Sequence, residues 1–168
     1  NVKYSVKIWQ INRSGSKVYL LDCPSVFDVL YVGSREKRLL QEVLFGKIVP
    51  VLLKTLDIKP AILHLNEAHG VLSAVNIREW KNITSGDDFF DDTRILFTIH
   101  TPRLAGLEVF NTAFENLEIP YSYKKYFDPE SKGSLDFTNC ASLLADRINT
   151  VSNNQVNIVK KRILTDEK

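Results

Sequence analysis

Tyr4, Val6 and Ile8 alternate with Ser5, Lys7 and Trp9, the two-residue period of a half-buried strand. Asn12-Arg13-Ser14-Gly15 supplies turn chemistry, and residues 17–22 resume an extended pattern, so the chain is expected to open with a β-hairpin. Over residues 35–56 the period changes to that of a helix, with Leu40, Leu44, Ile48, Val51 and Leu52 on one apolar stripe. Pro50 lies inside that pattern, where its missing N–H predicts a bend or a division near residues 46–50. Residues 61–65 and 94–100 read as buried strands, and a turn at 66–70 leads from the first into a helix reaching Trp80. Residues 107–116 read as helical and 119–133 as turn-rich. Asp136 is placed to cap a helix bearing Ala141, Leu144, Ala145 and Ile148, with a last strand or turn near Thr150-Val151.

Apolar strands separated by helices predict an α/β layer built on a parallel sheet, because parallel neighbours need a crossover. Ligands in such sheets gather at the carboxyl ends of the strands. All three histidines fall there: His64 and His69 flank the end of the first strand and His100 closes the second.

Composition narrows the function classes. The 168 residues are 44% hydrophobic and 25% charged, as in ordinary globular domains, and predict a single domain. Net charge is +2, too small to select nucleic acid or an anionic membrane surface. Two isolated cysteines, Cys23 and Cys140, give no disulfide framework, which points to a reducing cytoplasm, and no apolar run approaches a membrane span. The chain has no methionine, which suggests an interior piece of a longer protein.

The most function-like local feature is His64-x-Asn66-Glu67-x-His69. His64, inside a strand, is expected to be structural and satisfied by a backbone partner. His69, past the strand at a helix start, is weighed evenly between a structural role and facing a ligand. The spacing lacks the helical His-Glu-x-x-His pattern, and no metal is expected. Asp87, Asp88, Asp91 and Asp92 read as a solvated run without basic partners, and Lys160-Lys161-Arg162 as a solvated basic end. The seven glycines are dispersed, so no phosphate-cradling loop, dinucleotide fingerprint or nucleophile elbow is present.

Five segments in order resemble the α-glucan (glycogen/starch) phosphorylase family. They are Val18-Tyr19-Leu20-Leu21-Asp22, Arg38-Leu39-Leu40-Gln41-Glu42, His64-Leu65-Asn66-Glu67-Ala68-His69, Phe97-Thr98-Ile99-His100-Thr101-Pro102-x-x-Ala105-Gly106, and Asn149-x-Val151-Ser152. The resemblance implies a Rossmann-like parallel-sheet layer with flanking helices, part of the N-terminal domain of a B-type glycosyltransferase fold. It implies phosphorolysis of α-1,4-glucan by inorganic phosphate to glucose 1-phosphate, with pyridoxal phosphate held by a lysine of a C-terminal domain absent from this chain. The implied partners are the glucan, phosphate and that domain, with a homodimer left open. Asn66, Glu67, His69, His100 and Thr101 are the implied sugar-binding residues, with no complete catalytic centre, so the isolated chain is expected to be inactive. The sequence departs from the family at Ile48-Val49, Ala68 and Gln155, and the substitutions at Ile48, Val49 and Gln155 motivate one rival, a noncatalytic glucan- or partner-binding module. A separate rival is another B-type glycosyltransferase, glycogen-synthase-like and using a nucleotide sugar.

Overall fold

The computed structural model describes residues 3–29, 32–100 and 108–162. The chain divides into two compact units, Asn1–Gln41 and Glu42–Lys168, with the boundary inside one helix. In the first unit, β1 (Lys7–Arg13) and β2 (Ser16–Asp22) form the expected antiparallel hairpin, in register from Lys7↔Asp22 to Arg13↔Ser16. Ser14 and Gly15 both adopt positive φ at its two-residue turn, which suits the right-handed twist of the strands. Gln41 donates from Nε2 to the carbonyls of Val26 and Val29 (2.9 and 3.2 Å), tying the loop after the hairpin to α1 (Arg35–Thr55).

α1 is one uninterrupted helix despite Pro50. A proline at 50 removes the donor that the Gly46 carbonyl would otherwise receive. Asn76 replaces it: its Nδ2 donates to Gly46 O at 3.2 Å and to Leu72 O at 2.9 Å. The buried positions of α1 also differ from the expected leucine-rich stripe. Leu39, Glu42, Gly46 and Pro50 are buried, while Val51 is exposed and Leu40, Leu44, Ile48 and Leu52 are half-buried. The reason is the close approach of α2 (Val71–Arg78): a Cβ at position 46 would lie 2.4 Å from Leu72 Cβ, so only glycine fits there.

β3 (Ile62–Asn66) leads through a single 3₁₀ turn, Ala68–Gly70, into α2, and a short α3 (Trp80–Ile83) follows. β4 (Arg94–Ile99) pairs parallel with β3. The buried-strand expectation holds for β4 but fails for β3, where Leu65 alone is buried, because β3 lies at the edge of its three-stranded sheet. The expected helix at 107–116 is absent over its described part. β5 (Val109–Phe110) pairs antiparallel with β6 (Leu135–Asp136), and only a 3₁₀ turn forms at Phe114–Leu117. Phe110 is drawn into an aromatic cluster with Phe137, Phe127 and Phe114, with centroids 4.8–5.9 Å apart, and this packing overrides the local pattern.

α4 (Lys124–Phe127) precedes β6, and α5 (Phe137–Leu144) is capped as expected, Asp136 accepting from Asn139 N–H at 2.9 Å. β7 (Arg147–Thr150) joins β4 in parallel, giving the order β3-β4-β7, and α6 (Asn153–Arg162) follows. Leu65, Ile95, Phe97 and Ile99 from the sheet are buried, as are Val71, Leu72 and Val75 of α2 and Cys140 and Ala141 of α5. Both cysteines are free and buried. The acidic run is not simply solvated: Asp87 accepts from Trp80 Nε1 and pairs with Lys54, and Asp91 pairs with Lys81, at 2.7–3.0 Å. Among the described residues no helix is long and apolar enough to cross a membrane.

Candidate functional site

β3 and β4 run side by side with Asn66 opposite Thr98, so their carboxyl ends deliver Asn66, Glu67 and His100 to one place. His100 Nε2 lies 2.7 Å from Asn66 Oδ1. An amide oxygen only accepts, so Nε2 carries the proton and Nδ1 is left as the acceptor of the neutral ring. Glu67 Oε1 accepts the His100 backbone N–H at 2.9 Å, and Gln155 from α6 donates to the His100 carbonyl at 2.8 Å. Gln155 is fixed in turn by the Thr150 hydroxyl at 2.7 Å. Gln155, one of the departures from the phosphorylase pattern, is therefore part of the support of His100.

Glu67 reaches this position in a strained backbone, φ 66° and ψ 173°. That region is almost confined to glycine and costs about 1–3 kcal/mol elsewhere. Its N–H is held by the Thr98 carbonyl at 3.0 Å.

His64 is exposed and bonds a side chain, unlike the buried, backbone-satisfied residue expected. Its Nε2 lies 2.6 Å from Thr98 Oγ1, and that hydroxyl donates to Asn149 Oδ1, linking all three strands. His69 points elsewhere. Its Nδ1 lies 3.1 Å from Glu108 Oε2 and 3.5 Å from Glu42 Oε1, in a cluster separate from the partners of His100. The hydrogen bonds to Glu108 and then Glu42 push its pKa up to about 9, against the opposing effect of burial. Thr101, with Pro102, Ala105 and Gly106, lies outside the described residues, as do the side chains of Lys161 and Arg162. A cavity of about 430 Å³, lined by Ile62, Arg94, Ile95, Leu96, Asp146 and Arg147, opens at the opposite, amino-terminal ends of the strands.

Residues 1–164 match the family model described as the starch synthase catalytic domain. The chain belongs to that family. The chain is 30% identical over 157 residues to the glycogen synthase of Aeromonas salmonicida, covering 88% of this chain and 30% of that protein. The starch synthase family also accounts for the fold. The catalytic domain of starch synthase IV from Arabidopsis thaliana, a structure bound to ADP and acarbose, superposes with a TM-score of 0.72 at 19% identity, over 92% of this chain and 32% of that one. The expected α/β layer of a B-type glycosyltransferase fold is thus present. The phosphorylase resemblance holds in part: a B-type glycosyltransferase of glucan metabolism is what was expected, and the broader match is to the starch and glycogen synthase kind. Its counterpart, maltodextrin phosphorylase of Thermococcus litoralis, is 31% identical over 121 residues, 64% of this chain but 14% of that protein. The chain spans less than a third of the length of these relatives.

Proposed function

We propose that this chain forms part of a glucan synthase that transfers glucose from a nucleoside-diphosphate sugar to an α-1,4-glucan. It supplies sugar-contacting groups on the amino-terminal half of a two-domain catalytic unit. The observation that carries this reading is the convergence of Asn66, Glu67 and His100 at adjacent parallel strand ends, in a chain matched by the starch synthase model over residues 1–164. A sugar is oriented by a few rigid donors and acceptors. Asn66 sets the tautomer of His100 and so leaves its Nδ1 to accept a sugar hydroxyl, while Glu67 and Gln155 hold the backbone of His100 on both sides. Thr101 follows directly and is proposed to join them. The ADP found with the Arabidopsis relative supports a nucleotide-activated donor.

The test is an assay of the full-length protein with a glucan primer and ADP-glucose or UDP-glucose, beside a phosphorolysis assay. Glucose incorporation from the nucleotide sugar without added phosphate is expected. Release of glucose 1-phosphate that requires phosphate, with no nucleotide-sugar turnover, would restore the phosphorylase reading and with it the expectation of pyridoxal phosphate. Glucan binding with neither turnover would leave a noncatalytic module.

A further inference from the structure

Three metal-ligating side chains meet in a second place, built from parts of the chain far apart in sequence. Glu42 comes from α1, His69 from the turn after β3, and Glu108 from the residue before β5. One donor atom from each lies within 4.8 Å of the others. The two carboxylates are held in the interior, with Glu42 5% and Glu108 4% exposed, whereas the His69 side chain is 48% exposed and opens the cluster to solvent. Exposed acidic groups collect together without meaning, whereas here two carboxylates are buried beside an imidazole that reaches solvent.

We propose that Glu42, His69 and Glu108 form a binding site for a divalent first-row ion of the zinc class, entered from the exposed side of His69 and completed by solvent water. A tetrahedral ion bound at about 2.1 Å sets its donors about 3.4 Å apart. The imidazole nitrogen already stands 3.1 and 3.5 Å from the two carboxylate oxygens. One imidazole with two carboxylates suits zinc, cobalt or manganese better than magnesium or calcium, which favour all-oxygen shells. An ion bound at Nδ1 takes the place of a proton there, so its binding weakens as the pH falls. Such an ion would join α1, the turn carrying His69, and the residue before β5 by one centre, and would stabilise the folded chain by mass action.

The experiment is a calorimetric titration of chelator-stripped protein with Zn²⁺, with thermal unfolding followed in parallel and Co²⁺ used as a spectroscopic probe. The expected result is one ion per chain, a raised Tm, and an affinity at least about 10-fold weaker in His69→Gln and in Glu108→Gln, a loss no smaller than that of an outer-shell partner. Far-UV circular dichroism checks that the variants fold. His69→Gln, at a half-exposed position, keeps the test decisive should the buried Glu108 variant fail to fold, and it should also abolish the Co²⁺ visible band. No binding at micromolar zinc, or binding that His69→Gln leaves unchanged, overturns the proposal.

Discussion

Gly46→Ala separates helix propensity from packing, because the two act in opposite directions at this position. In an open helix interior the change would stabilise by about 0.5–1 kcal/mol. Here the new methyl would stand 2.4 Å from Leu72 Cβ, 3.0 Å from Leu72 C and 3.2 Å from Leu72 Cα. Ordinary carbon–carbon contact is about 3.5–4.0 Å, so α2 would have to retreat by roughly 1 Å. None of those atoms is the far end of a flexible side chain, so the movement falls on the backbone of a helix that is buried on nearly all sides. Overpacking of this kind costs about 1–3 kcal/mol, and the retreat also stretches the Asn76 bond to the Gly46 carbonyl. The net expectation is a loss of about 1–2 kcal/mol, or roughly 2–8 °C in Tm for a chain of this size. Urea and thermal unfolding of Gly46→Ala would be compared with Gly33→Ala, where an added Cβ meets nothing within 4 Å. A Gly46→Ala protein as stable as the parent would show that α1 and α2 do not meet as closely as the structure places them.

Three further outcomes follow from the same geometry. Asn76→Ala should cost about 1–3 kcal/mol by orphaning the Gly46 carbonyl, and Pro50→Ala, which restores a helical donor, should recover part of that loss; additive effects in the double-variant cycle would contradict it. In metal-free protein the folded pKa of His69 is raised from 6.5 to about 9, so its contribution is fully present below pH 6.5 and lost as pH rises through about 9. Urea midpoints of parent and His69→Gln should therefore converge with rising pH across that window. In the full-length protein His100→Ala should weaken glucan or glucose binding by about 1–3 kcal/mol and His64→Ala by less, because His64 is engaged with Thr98; equal losses by calorimetry would refute the assignment.

What could be read from the sequence was what local chemistry decides. Ser14-Gly15 fixed the hairpin, Asp136 capped α5, and the apolar runs around Leu65 and Phe97 became neighbouring parallel strands. The placement of Asn66, Glu67 and His100 followed from the rule that such strands expose their carboxyl ends. What could not be read depended on partners distant in the chain. The buried face of α1 is chosen by Leu72, 26 residues after Gly46, and not by the leucines that dominate its periodicity. Pro50 leaves the helix whole because a side chain from α2 supplies the missing donor. Glu42 and Glu108 carry no motif around His69, because the three come from elements that meet only after folding and so leave no ligand spacing along the chain. A carboxylate set among Leu39, Gly46 and Pro50 on one helical face was the available signal at Glu42.

The backbone of Glu67 shows how the two clusters depend on each other. At φ 66° and ψ 173° a glycine would sit without strain, whereas glutamate does so at a cost of about 1–3 kcal/mol. Relief by substitution to glycine would also remove the carboxylate that receives the His100 N–H. The conformation turns the chain sharply enough that Asn66 and Glu67 face His100 while His69, two residues on, faces Glu42 and Glu108. A relaxed extended residue at 67 would continue β3 and could not divide its neighbours between the two directions. The strain is therefore the local expense of holding two polar clusters on one turn, and the bonds to Thr98 O and His100 N are what keep that turn in place.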